Sequence, residues 1–272
     1  MTLFDEPAQA AAVSAGPASS RLRVRMLVAY DGSSFHGFAV NRDVATVGGT
    51  LQQALELVLN EPVVLTAAGR TDRGVHAWGQ VVSFDMPSGV ITLDDLRHAV
   101  NKICGGSIVV RAATRAAPDF DARHSARSRV YRYTVLNQPV PDPFAARTAW
   151  WIDRPLDMNA LRLACDPLIG EHDFASFCRR PKRTGEESSL SRRVLDARWS
   201  VPANDRVCLL QFEIEARAFC HQMVRSIVGT MVEIGRGTKR AGDMAAILRA
   251  RDRSAAGQLA PPQGLCLWEV RY

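Results

Sequence analysis

Gly69-Arg70-Thr71-Asp72-Arg73-Gly74-Val75-His76-Ala77 sets one carboxylate between two arginines in a polar, glycine-punctuated turn. An opposite charge within a few ångströms favours an ionised carboxyl, and an ionised carboxylate suits a nucleophile or a base. Read alone, Arg-Thr-Asp is more often an ordinary surface ion pair of little energetic weight. The flanks add to it: Pro62 to Ala68 reads as a buried strand and Gln80 to Phe84 as a second, which sets Asp72 on a loop between rigid elements.

The elements around this loop follow from periodicity. Leu22, Val24, Met26 and Val28 alternate with Arg21, Arg23 and Arg25, the pattern of a half-buried strand with a solvated face. Thr50-Leu51-Gln52-Gln53 has the form of a capping box opening a helix with Leu51, Ala54, Leu55, Val58 and Leu59 on one face; Thr92-Leu93-Asp94-Asp95 opens another. Later helices are expected over Asn159 to Ile169 and Phe219 to Ile234, the latter ended by Gly235. Strands are expected over Arg193 to Val201, Val207 to Ala216 and Leu265 to Tyr272. The order strand, helix, strand, strand, helix, strand thus runs twice, the second time from Ser128, without an internal sequence repeat.

Within the Phe219 helix, Arg225 interrupts an apolar face of Phe219, Val224, Ile227, Val228 and Met231. Spacing leaves it either facing solvent or partnered by an acid, since charges are almost never fully buried alone. Tyr131 and Tyr133 share a strand face; Tyr133 reads as core.

The nine-residue string resembles the signature of the tRNA pseudouridine synthase A family. Three further segments agree with that family in order and spacing: Tyr30 to Gly37, Ser128 to Tyr133, and Ala218 to Gly229. The resemblance covers residues 22–272. It implies an α+β fold of two similar halves whose antiparallel sheets join side by side, with helices on one face and a central cleft. The halves are expected over residues 21–117 and 118–272. It further implies isomerisation of uridine to pseudouridine in the tRNA anticodon arm, at positions 38 to 40, by a homodimer. In that scheme Asp72 is the essential acid, Arg225 its partner, and Tyr131 the aromatic beside a flipped base; Leu265 and Leu267 close the pocket. Arg70, Arg73, His76, Arg127 and Arg129 become candidate RNA contacts, as do Arg179, Arg180, Lys182 and Arg183 of a basic, loop-like stretch. Turn-stabilisation is an equal reading of His76. The isomerisation needs no cofactor, metal or redox partner. Phe38-Ala39 replaces the family's Trp-Gln, which bears on the choice of RNA target more than on chemistry.

Composition bounds the alternatives. A chain of 272 residues that is 47% hydrophobic can bury a large core, and a net charge of +6 suits a polyanionic partner. Six scattered cysteines without a Cys-x-x-Cys pair predict reduced thiols, a cytosolic setting and no zinc site. No apolar run reaches the roughly 18 residues of a membrane span. Residues 1–20, rich in Ala, Ser and Pro, read as a disordered tail. Two rival functions stay open: a non-catalytic RNA-binding relative, argued against by the intact acid, and a carboxylate-dependent nucleotide hydrolase, which needs metal ligands or a second acid that no cluster supplies. A pseudouridine synthase with a different RNA target is the nearer variant.

Overall fold

A computed structural model describes residues 21–179, 189–203 and 206–272. The N-terminal tail of residues 1–20, and Arg180, Lys182 and Arg183, lie outside the described residues.

Strand β1 (Arg21–Tyr30) carries the alternation expected of it: Val24, Met26 and Val28 are fully buried. Its arginines are taken up locally, Arg21 by Glu61 and Arg23 by Asp85, each at 2.8 Å, and Arg25 by the Tyr272 ring at 4.6 Å. Then follow α1 (Val47–Leu59), β2 (Thr66–Ala67), β3 (His76–Pro87), α2 (Leu93–Cys104) and β4 (Ile108–Arg115). The second run is β5 (Ser128–Asn137), β6 (Trp150–Ile152), α3 (Met158–Leu163), β7 (Gly170–Asp173), β8 (Ser191–Ser200), β9 (Leu209–Ala216), α4 (Met223–Gly235), α5 (Asp243–Ala250) and β10 (Leu265–Arg271).

Among the described residues, ten strands form one sheet in the order β4-β1-β3-β10-β5-β9-β8-β7, with β2 beside β3 and β6 beside β5. Architecture is duplicated within it. In the first run β1 lies between its last strand β4 and β3, with β2 beyond; in the second, β5 lies between β10 and β9, with β8 beyond. The two runs meet where β10 pairs in parallel with β3, through Cys266 opposite His76 and Leu267 opposite Ala77. Helix residues Leu51, Leu55, Leu96, Val100, Ile227 and Met231 join the buried strand residues in one apolar core. Full burial of such a side chain contributes roughly 1.5–3 kcal/mol.

Several local expectations are corrected. Thr46, not Thr50, caps α1: its hydroxyl accepts the Gly49 N–H at 3.2 Å, so the helix starts a turn earlier than the apolar face suggests. Thr92 does cap α2, accepting the Asp95 N–H at 3.1 Å. The stretch before the motif pairs only at β2, and Val64 is 84% exposed, because the chain bends off the sheet there. Helix α3 breaks after Leu163 into a short 3-10 turn at Asp166–Leu168, where Pro167 removes a helical donor. Helix α4 begins at Met223, since Gln222 before it is left-handed at φ 66°. Gly235 stays helical against Leu156 and Leu161, and the left-handed residue beyond the helix is Gly237. The side chains of Cys178 and Cys220 lie side by side, Cα atoms 5.8 Å apart. Packing of the 3-10 turn Ala175–Phe177 near the start of α4 brings them together from 42 residues apart.

Candidate active site

The loop carrying Asp72 is fixed from every side before any partner is considered. The fully buried Gln80 side chain donates to the Gly69 carbonyl at 2.7 Å, and its own carbonyl accepts the Val81 N–H at 3.2 Å. The Thr71 hydroxyl lies 2.8 Å from the Tyr30 hydroxyl, and the Thr71 carbonyl accepts the Phe38 N–H at 3.1 Å. A turn closes where the Val75 N–H donates to the Asp72 carbonyl at 3.1 Å; it places Gly74 at φ 78°, which favours glycine. Gly37, at φ 95°, presses so closely on the loop that a Cβ there would stand 2.8 Å from the Thr71 oxygen.

So held, Asp72 points into a cleft of about 1450 Å³ lined from both runs of the fold, including His36, Phe38, Arg70, Arg73, Tyr131, Phe219, His221, Arg225 and Leu265. Arg225 NH1 stands 3.7 Å from Asp72 Oδ2, and His221 Nε2 stands 3.2 Å from Oδ1. The Arg225 side chain is only 12% exposed, and its Nε donates to the Ala260 carbonyl at 2.8 Å while the Ala260 N–H returns a bond to the Arg225 carbonyl at 3.2 Å. Burial pulls the guanidinium down from its ordinary range, and Asp72 opposes that pull. Partnering, the second of the two readings left open by spacing, is the arrangement found.

Tyr131 is buried beside Asp72. Burial first, and the Asp72 charge second, raise its hydroxyl above the ordinary tyrosine range, so it is a neutral phenol at physiological pH. Its ring meets Phe219 edge-on, centroids 5.0 Å apart. Tyr133 is fully buried and donates to the Pro261 carbonyl at 2.8 Å. Leu265 lines the cleft, whereas Leu267, opposite Tyr131 across the ladder, is fully buried beneath the loop at Gly69.

The arginine and histidine candidates separate. Arg70 and Arg73 are exposed on the cleft. Arg127 and Arg179 are exposed, but neither lines it. His76 is corrected as an RNA contact: it is buried, its Nδ1 accepts the Gly32 N–H at 3.1 Å, and Nε2 lies 2.8 Å from the Arg147 carbonyl. Arg129 is corrected too. Although it borders the cleft, its guanidinium donates to the carbonyls of Ala68, Arg123, Ala126 and Arg217, leaving no free edge for phosphate. Burial pulls it down from its ordinary range. His221 is the residue that sequence reasoning passes over. Its signal was a lone imidazole four positions before Arg225, within the segment already singled out.

The arrangement thus brings together an anchored acid between a guanidinium and an imidazole, a neutral phenol, and basic residues at the rim. A model of the tRNA pseudouridine synthase family matches residues 26–125 and 164–272. The tRNA pseudouridine synthase A of Moorella thermoacetica is 41% identical over 253 residues, covering 92% of this chain and 99% of that protein. That of Brevibacillus brevis is 40% identical over 250 residues, with the same coverage. That of Fervidobacterium nodosum is 36% identical, again over 92% of this chain and 99% of the relative. The chain belongs to the tRNA pseudouridine synthase family.

Among the described residues no helix is long and apolar enough to cross a membrane.

Proposed function

We propose that this chain is the isomerase that converts uridine to pseudouridine in tRNA, with Asp72 as its essential acid. The observation that carries the reading is the anchored Asp72 carboxylate beside Arg225 and Tyr131 in a cleft built from both runs of the fold. At about 1450 Å³ the cleft exceeds the roughly 300–1,000 Å³ typical of small-molecule pockets, which favours a polymer over a free nucleotide.

Pseudouridine formation breaks the C1′–N1 bond, turns the uracil, and joins C1′ to C5; the proton lost from C5 is balanced by one gained at N1. Asp72 acts directly on the nucleotide, as a nucleophile or as the base that removes a ribose proton, and both roles require it ionised. Arg225 supplies the compensating charge. The uridine must leave its stack at a cost of a few kcal/mol, and the Tyr131 ring receives it. Arg70 and Arg73 at the rim contact the displaced strand. The target is the anticodon arm, uridines 38 to 40, the working form is a homodimer, and the setting is the cytoplasm; these finer points rest on family resemblance.

The test is incubation of the purified protein with unmodified tRNA, followed by chemical mapping of pseudouridine. New pseudouridine at positions 38 to 40 supports the whole reading; pseudouridine elsewhere retains the isomerase and overturns the target. Binding without product supports the non-catalytic alternative.

A further inference from the structure

Arg225 gives Asp72 charge but little direction. At 3.7 Å its NH1 is beyond hydrogen-bond length from Oδ2, and its Nε is committed to Ala260. A carboxylate held only so is free to rotate about its Cβ–Cγ bond. The other oxygen has a nearer neighbour in His221 Nε2, at 3.2 Å.

The backbone around His221 is unusually constrained. Its carbonyl accepts the Arg179 N–H at 3.0 Å, Cys220 before it packs against Cys178, and Gln222 after it takes a left-handed φ of 66°. A non-glycine residue in that region costs of order 1–3 kcal/mol and persists where its surroundings require it. The imidazole faces the loop between β2 and β3 that carries Asp72, with the ring 49% exposed.

We propose that His221 is a positioning residue that fixes the rotation of the Asp72 carboxylate. This rests on the reading of Asp72 as the essential acid. Nε2, 3.2 Å from Oδ1, holds the carboxylate in the orientation that it presents to the nucleotide.

The experiment measures kcat and KM on unmodified tRNA for the wild type, His221→Phe, His221→Gln and Asp72→Asn. Loss of this polar contact to a charged group predicts a drop in kcat of about ten-fold for His221→Phe, with KM within about two-fold. His221→Gln, which keeps a side-chain N–H donor, recovers kcat to within about three-fold. Wild-type kcat in His221→Phe, or a His221→Gln as impaired as His221→Phe, overturns the inference while an inactive Asp72→Asn leaves the reading of Asp72 standing. Turnover by Asp72→Asn overturns both.

Discussion

Arg129 on β5 closes on the carbonyl of Ala68 with two N–H groups, from Nε at 3.1 Å and NH2 at 2.9 Å. Its remaining donors reach Arg123, Ala126 and Arg217, so one guanidinium ties the segment before Asp72 to the connection into β5 and to the chain leaving β9. Five donors in a planar fork do this; an ammonium cannot, having three donors on a point. Arg129→Lys is therefore expected to cost about 2 kcal/mol of stability and to lower kcat by loosening the Asp72 loop. Thermal unfolding and single-turnover assays check this, and an unchanged melting temperature would remove Arg129 from the scaffold.

Asp72→Asn keeps the size of the side chain and the turn closed by the Val75 N–H, which uses the backbone carbonyl. Product formation should be abolished while tRNA affinity stays within a few-fold. Filter binding together with pseudouridine mapping separates the two quantities.

Arg225→Met removes the cation from Asp72 and leaves the Ala260 carbonyl without its side-chain donor. Breaking a buried ion pair on one side costs about 3–5 kcal/mol; the 26% exposure of Asp72 puts the expectation at the low end. Activity should fall strongly in protein that is still folded by circular dichroism. Near-normal rates in folded protein would show that Asp72 works without this guanidinium.

All four tyrosines have hydroxyls raised above the ordinary value by burial, Tyr30, Tyr131 and Tyr133 furthest, and Tyr272 to about 12. Ionisation is harder in the folded chain than in the unfolded one. The stabilisation is thus fully present below the unfolded tyrosine pKa of about 10 and is lost as pH rises above it. At pH 10.5 native protein should show little tyrosinate absorbance at about 295 nm, with the full signal appearing on unfolding in urea. A full native signal at that pH would mean the hydroxyls are open to water.

What the residues determine alone is local, because period and turn chemistry act over a few positions. The alternation from Leu22 to Val28 already specified the buried face of β1, and Thr92 with Asp95 already specified the start of α2. The glycines and charges of Gly69 to Ala77 specified a turn bearing an acid. Even locally, competition between neighbours escaped it: Thr46 and Thr50 both can cap, and the contact of Gly48 with the Phe38 carbonyl, where the Gly48 N–H donates at 2.9 Å, favours the earlier start. The tertiary structure alone decided which distant groups share the cleft. Asp72 meets His221 and Arg225, Arg129 spends itself on four carbonyls rather than on phosphate, and Cys178 finds Cys220. Each of these depends on strand order. By pairing β10 with β3, the sheet brings residues some 150 positions apart within 4 Å of one another, and no periodicity in a single chain encodes that adjacency.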